Sequence, residues 1–240
     1  MDECVQYAYL GVSQFQKRLK AHPVGYIPLG TLEWHGIHNA LGSDALQAEG
    51  IFVEAARTYG GIVFPPLFLG PDRIEDAQDG KVFIGMDSAE TTKPHQQLPG
   101  SCYWVSKGLF LQMLEALVAQ AKRAGFMCLL ADGHGPSRKA WAEMAGQWEK
   151  QYDIILLSSL NDFDPTSYVT QADHAGKCET STMMALHPDL VDLAILGSSE
   201  APWPLGVRGE DPRLSTAEYG RHLVDTTVDA IGRKLLELGL

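Results

Sequence analysis

Three short polar stretches hold the side chains that could do chemistry: GTLEWHGIHNALGSD (30–44), ADGHGPS (131–137) and DHAGKCETS (173–181). The first offers Glu33, His35 and Asp44. Glu33 and His35 are two positions apart, so on extended chain their side chains point the same way. Two polar groups at the end of a buried run each need a partner. Asp44 follows a glycine-bearing turn and opens a helix, where the dipole favours a carboxylate. It reads equally as a plain N-cap. In the second stretch His134 stands between Gly133 and Gly135, which let the backbone turn tightly and bring the imidazole close to a ligand. Asp132 would either orient that imidazole or cap the helix that follows. In the third, His174 precedes a helix and Glu179 lies inside it, so the two meet at one point only if His174 stays in the preceding loop. Cys178, beside Glu179, points about a quarter-turn away.

Together Glu33, His35, Asp44, His134 and Glu179 offer a mixed carboxylate and imidazole set suited to Zn, Mn or Fe, and a carboxylate can bridge two such cations. Two close divalent cations would lower the pKa of a shared water and polarise a carbonyl. His174, with an unperturbed pKa near neutrality, is then left as the acid/base group. Glu179 counts both as a ligand and among the catalytic residues. The contrasting chemistry is a cysteine hydrolase using Cys178 or Cys102, but neither sits in an obviously electropositive turn.

These side chains need strand ends to hold them. VGYIPLG (24–30) reads as a buried strand, 44–58 as a helix stopped by Gly60-Gly61, and IVFPPLFLG (62–70) as a second strand-like run made ragged by Pro65-Pro66. Residues 71–103 are polar with scattered Gly and Pro, and read as a covering segment with short strands at best. Helical spacing follows over 105–125, then a short strand at 127–131, a helix at 136–151 with Pro136 in its first turn, and a strand at 153–160. A helix over 175–188 closes at Pro188, and Ser215 with Glu218 forms a capping-box pattern opening a terminal helix. Strands alternating with helices predict a three-layer α/β/α fold on a mostly parallel sheet, with ligands beyond the carboxyl ends of the strands.

With 240 residues, 45% hydrophobic and 20% charged, the chain has the composition of one soluble globular domain over 1–240. A net charge of −11 disfavours nucleic acid and fits either a site that gathers carboxylates around cations or acidity that only keeps the protein soluble. The four cysteines form no CxxC pair, no secretory signal is visible and no apolar run reaches a membrane span, so a cytoplasmic protein is expected.

At the level of motifs the chain resembles the creatininase (creatinine amidohydrolase) family. Glu33, His35, Gly36, His38, Leu41, Gly42 and Asp44 match its Glu-x-His-Gly-x-His…Leu-Gly-x-Asp string. Asp132-Gly133-His134-Gly135 is similar to its Asn-Gly-His-Gly, His174 through Ser181 matches its His-Ala-Gly-x-x-Glu-Thr-Ser, and Pro99-Gly100-Ser101 resembles its Pro-Gly-Thr element. The resemblance implies a single α/β domain with two divalent metals and a metal-activated water. It makes Glu33, His35, Asp44, His134 and Glu179 the ligands, Asp44 the bridge and His174 the acid/base residue. It also implies a homo-oligomer, often a hexamer, acting on a small molecule.

Creatininase carries a Glu two places after the third-strand His, and here Pro136 stands there, leaving Glu179 to serve. Asp132 replaces the usual Asn, and Lys177 an acid found in many members. These departures bear on the substrate and leave the metal set intact. The leading expectation is hydrolysis of a small cyclic amide or related amide. Behind it stand opening of a keto-inositol (inosose) ring by carbon–carbon cleavage, formamide deformylation, and a non-catalytic sugar-binding protein whose signature would be broken ligands. The polar 71–103 segment, with Asp72, Arg73, Glu75 and Asp76, is a candidate to hydrogen-bond a polyhydroxylated ring.

Overall fold

The computed structural model describes residues 4–76, 80–169 and 171–240. An amphipathic first helix, α1 (Val12–Ala21), precedes β1 (Val24–Leu29) and α2 (Ser43–Tyr59), which Gly60 ends at φ +86°. The two-residue β2 (Ile62–Val63), a hairpin of β3 (Ile74–Asp76) and β4 (Val82–Ile84), and α3 (Lys107–Ala124) follow. The chain then runs through β5 (Cys128–Gly133), α4 (Gly135–Tyr152), β6 (Ile155–Ser158), α5 (Lys177–Leu186) and α6 (Ala217–Glu237). Among the described residues the main sheet has the order β2-β1-β5-β6, every pairing parallel.

Strand side chains alternate between the two faces, and each face packs on its own pair of helices. Val24, Tyr26, Cys128 and Leu130 meet Phe52 of α2 and Ile231 of α6. Ile27, Leu29, Leu129 and Ala131 meet Phe110 of α3 and Trp141 of α4. That is the expected three-layer α/β/α arrangement. Among the described residues no helix is long and apolar enough to cross a membrane.

Some boundaries move. The strand expected over 62–70 pairs regularly over Ile62–Val63 alone, because Pro65 and Pro66 cannot donate to a ladder; beyond them single bridges tie Leu29 to Leu67 and Gly70 to Trp104. The terminal helix is capped by Thr216, whose hydroxyl accepts from Tyr219 N–H, while Ser215 Oγ turns to the Lys177 carbonyl. Helix α1 went unrecognised in the sequence. It has no fully buried residue and tucks only Phe15 and Leu19 against the α3/α4 face.

Helices α5 and α6 cross closely. A Cβ at Gly220 of α6 would lie 1.8 Å from the Ser181 carbonyl oxygen of α5. Elsewhere in a helix, Gly→Ala gains up to about 1 kcal/mol. Here Gly220→Ala should instead cost about 1–3 kcal/mol by forcing the helices apart, a sign that urea unfolding of the two proteins reads directly.

Candidate metal centre

Each of the three polar stretches leaves the carboxyl edge of the sheet or enters a helix beside it. After β1 the chain is fastened by Trp34, whose N–H donates to Ser101 Oγ (2.7 Å) and whose indole donates to the Leu205 carbonyl (2.7 Å). His35 Nδ1 donates to the Glu33 carbonyl at 3.2 Å, which aims Nε2 inward. Asp44 is the second residue of α2, with Gly42 at the cap position, so its carboxylate is not spent on capping.

His134 follows β5, and its Nδ1 lies 3.0 Å from Ser137 Oγ. Asp132 neither orients that ring nor caps α4. Its Oδ1 accepts from Ser159 Oγ (2.5 Å), with Arg138 Nη1 at 3.6 Å. His174 is held by paired backbone hydrogen bonds with Arg208, between two non-glycine residues in left-handed conformation, Gln171 (φ 62°) and Ala175 (φ 52°). Such strain persists only where surrounding contacts fix it. Asp173 accepts from the N–H groups of Cys178 and Glu179 and so caps α5, and Glu179 Oε2 accepts from Ala175 N–H at 2.6 Å.

The five expected ligands meet as two overlapping triads, the ligand atoms of each lying within 4.8 Å of one another. Glu33, Asp44 and His134 form one such triad, and His35, Asp44 and Glu179 a second. His35 Nε2 lies 3.5 Å from Asp44 Oδ1 and 3.8 Å from Glu179 Oε2, and His134 Nε2 lies 3.3 Å from Glu33 Oε1. Asp44 belongs to both triads. A third, Glu33, His35 and His174, places His174 against the same cluster. The His174 Nε2–H donates to the Trp34 carbonyl (2.7 Å), which leaves its Nδ1 lone pair 4.0 Å from Glu33 Oε1.

The protein alone leaves this cluster electrostatically unbalanced. Burial and the Asp44 carboxylate push Glu33 well above the usual carboxylate range, and burial with Asp44 takes Glu179 to about 8. Burial would lower His35, but Asp44 beside it wins and raises it to about 9. Asp44 itself is held low by His35 despite its burial. Burial and the His35 ring, 4.4 Å away, drop His174 to about 3 and keep it neutral. His35 Nε2 and Asp44 Oδ2 are buried with no hydrogen-bond partner among the described residues. Unpartnered, and 3.5 and 3.8 Å from the carboxylate oxygens of Asp44 and Glu179, His35 Nε2 fits a divalent cation between them.

Two further side chains have places that the sequence reading did not assign. Asp72, expected in a covering segment as a hydrogen-bonding group for a polyhydroxylated ring, brings Oδ2 within 3.5 Å of His134 Nε2. Nothing in a Pro-Asp-Arg turn announces that. His38, part of the first motif, is no cation group: its Nε2 donates to the Ala175 carbonyl at 3.1 Å, with Thr180 Oγ1 at 3.0 Å, bracing the His174 loop. Cys178 turns its sulfur to the Val169 carbonyl, and burial beside Asp173 raises its thiol to about 12, so it is neither thiolate nor ligand.

An α/β sheet with carboxylates and imidazoles converging beyond its strand ends defines a protein built around a candidate cation centre. Its lineage is specific: the chain belongs to the creatininase family of hydrolases, whose model (creatinine amidohydrolase) matches residues 8–235. It is 24% identical over 204 residues to a creatinine amidohydrolase of Pseudomonas putida, covering 80% of this chain and 76% of the relative. Among solved structures it is similar to creatininase with Mn (TM-score 0.73, 19% identity, 98% and 99% of the two chains covered). It is similar also to a mutant creatininase of Zn-Zn type (TM-score 0.74, 20% identity, 98% of each chain).

The sign of the pH dependence follows from these shifts. Glu179 and His35 have folded values above their ordinary 4.5 and 6.5, so the stability they contribute is complete at low pH and lost as pH rises through about 8–9. The depressed His174 acts in the opposite sense, below 6.5. With a chelator present, the melting temperature should therefore fall from pH 6.5 to 9. With excess Mn²⁺ the slope should reverse, because ligands bind deprotonated. Thermal scans in matched buffers check both slopes.

Proposed function

We propose that this protein, acting as one domain, is a metal-dependent hydrolase that directs water at the carbonyl of a small cyclic amide or related amide. The convergence of Glu33, His35, Asp44, His134 and Glu179, far apart in sequence, carries this reading. The family and the named activity of the Pseudomonas putida relative support it. Two divalent cations (Zn, Mn or Fe) held there would polarise the substrate carbonyl and acidify the attacking water.

The chain's own groups supply the rest. Asp44 lies between the two triads and is the group placed to join them. Neutral His174, its tautomer fixed by the Trp34 carbonyl, takes a proton at Nδ1 and returns it to the leaving group. The adjoining cavity, about 430 Å³, admits a small molecule. Its wall includes Arg73, Ser88, Arg138, Gln171, Asp173 and Arg208. That polar wall favours one second reading, opening of a keto-inositol ring by carbon–carbon cleavage, since many hydroxyls would find partners there.

Purified protein should hold roughly one to two divalent metals per chain. Glu33→Gln and His134→Ala should lose metal and turnover together, by more than 100-fold in turnover. His174→Ala should keep its metal and lose turnover by about 10²–10⁴. Elemental analysis, with assays on creatinine, formamides and keto-inositols, checks this. Metal-free protein whose activity ignores chelators would defeat the reading, and an emptied site in His174→Ala would remove the role given to His174.

A further inference from the structure

The two triads are unequal, and the difference lies in Asp72. We propose that Asp72 is a further metal ligand, completing the Glu33–Asp44–His134 position as a three-carboxylate, one-imidazole site for a hard divalent cation such as Mn²⁺. The inference rests on the metal centre proposed above. It adds a group that lies outside the family's motif strings.

His134 Nε2 is the ring atom left to a cation once Nδ1 faces Ser137 Oγ. Two carboxylate oxygens approach it from different elements: Glu33 Oε1 at 3.3 Å and Asp72 Oδ2 at 3.5 Å. Ligand atoms about 2.1 Å from a common cation stand about 3.0–3.4 Å apart in octahedral or tetrahedral geometry. The Glu33 approach falls within that edge length and the Asp72 approach lies about 0.1 Å beyond it, while each exceeds a normal charge-assisted hydrogen bond of about 2.7–2.9 Å. The side chains are dry, with Asp72 7% and His134 3% exposed.

Asp72 is also held in place. Its Oδ1 accepts from Arg73 N–H at 2.6 Å, leaving Oδ2 directed at His134. The β3–β4 hairpin folds back so that Gly85, at φ +59°, lies against the pair. A Cβ there would stand 2.3 Å from Asp72 Oδ2 and 3.4 Å from Glu33 Oε2. Gly85 N–H donates to the Arg73 carbonyl (2.9 Å), and the Arg73 guanidinium donates to Ser88 Oγ (3.1 Å), closing the loop around Asp72. The hairpin thus serves the cation position directly.

Three oxygens and one nitrogen suit Mn²⁺ better than the His35–Asp44–Glu179 position does, with its two carboxylates and one imidazole. Ionised together around bound metal, Glu33, Asp44, Asp72 and Glu179 would carry four negative charges, which two divalent cations would neutralise.

The test compares wild type with Asp72→Asn, which keeps the shape of the side chain. Mn²⁺ binding is followed by calorimetry and by loss of the free-ion electron paramagnetic resonance signal, and Co²⁺ is used as an absorbing probe. Asp72→Asn should weaken one class of Mn²⁺ site by more than 100-fold and leave the other within about threefold. The visible Co²⁺ bands of the weakened site should shift in position and intensity. With a chelator present the variant should melt at the same or a higher temperature than wild type, because one carboxylate has left a crowded cluster; a merely structural residue would lower it. Unchanged Mn²⁺ affinity overturns the proposal. So does weaker binding with unchanged Co²⁺ bands, which would mean that Asp72 acts only through His134. Wild type that binds no metal would instead defeat the metal centre itself.

Discussion

Four carboxylates, Glu33, Asp44, Asp72 and Glu179, share one dry pocket at the carboxyl edge of a parallel sheet. Mutual repulsion and lost hydration make that arrangement expensive for a protein by itself. The compromises are visible in the protonation pattern: Glu33 and Glu179 lie far above the ordinary range, while Asp44 keeps its charge beside a cationic His35. A fold that keeps such a cluster together must spend core stability to do so. The two apolar layers of α2/α6 and α3/α4 supply that reserve.

Much of the rest follows from holding these groups still. Trp34 is fastened at both its amide and its indole, His38 braces the Ala175 carbonyl, and Asp173 caps α5 from outside the helix. The strained Gln171 and Ala175 bracket His174, and Gln171 Nε2 donates to the Asp44 carbonyl. These residues act on geometry. They let His174 present one defined nitrogen, because a carbonyl partner accepts only from the protonated one.

The sequence carried the layered α/β fold and the five converging residues, because period-2 and period-3.6 apolar patterns and polar motifs at strand ends are local signals. It could not show where the β2 ladder would stop, since bridges at Leu67 and Gly70 depend on distant partners. Asp132 read as either an orienting partner of His134 or a cap of the next helix, but Ser137 lies beside the ring while Asp132 bonds Ser159. Helix α1 was missed because its apolar stripe is short and half-buried. Asp72 was hidden because its importance depends on the β3–β4 hairpin folding back over it, which no neighbouring residue encodes.

The tight crossing of α5 and α6 has a consequence for biosynthesis. Helix α6 is translated after every group in the cluster, yet it backs the helix that carries Glu179 and, through the Arg221–Glu54 ion pair, also grips α2 behind Asp44. On the ribosome, the emerging chain would display all its acidic side chains before their scaffold is whole. Any cation held there would be captured only once α6 has docked behind these two helices.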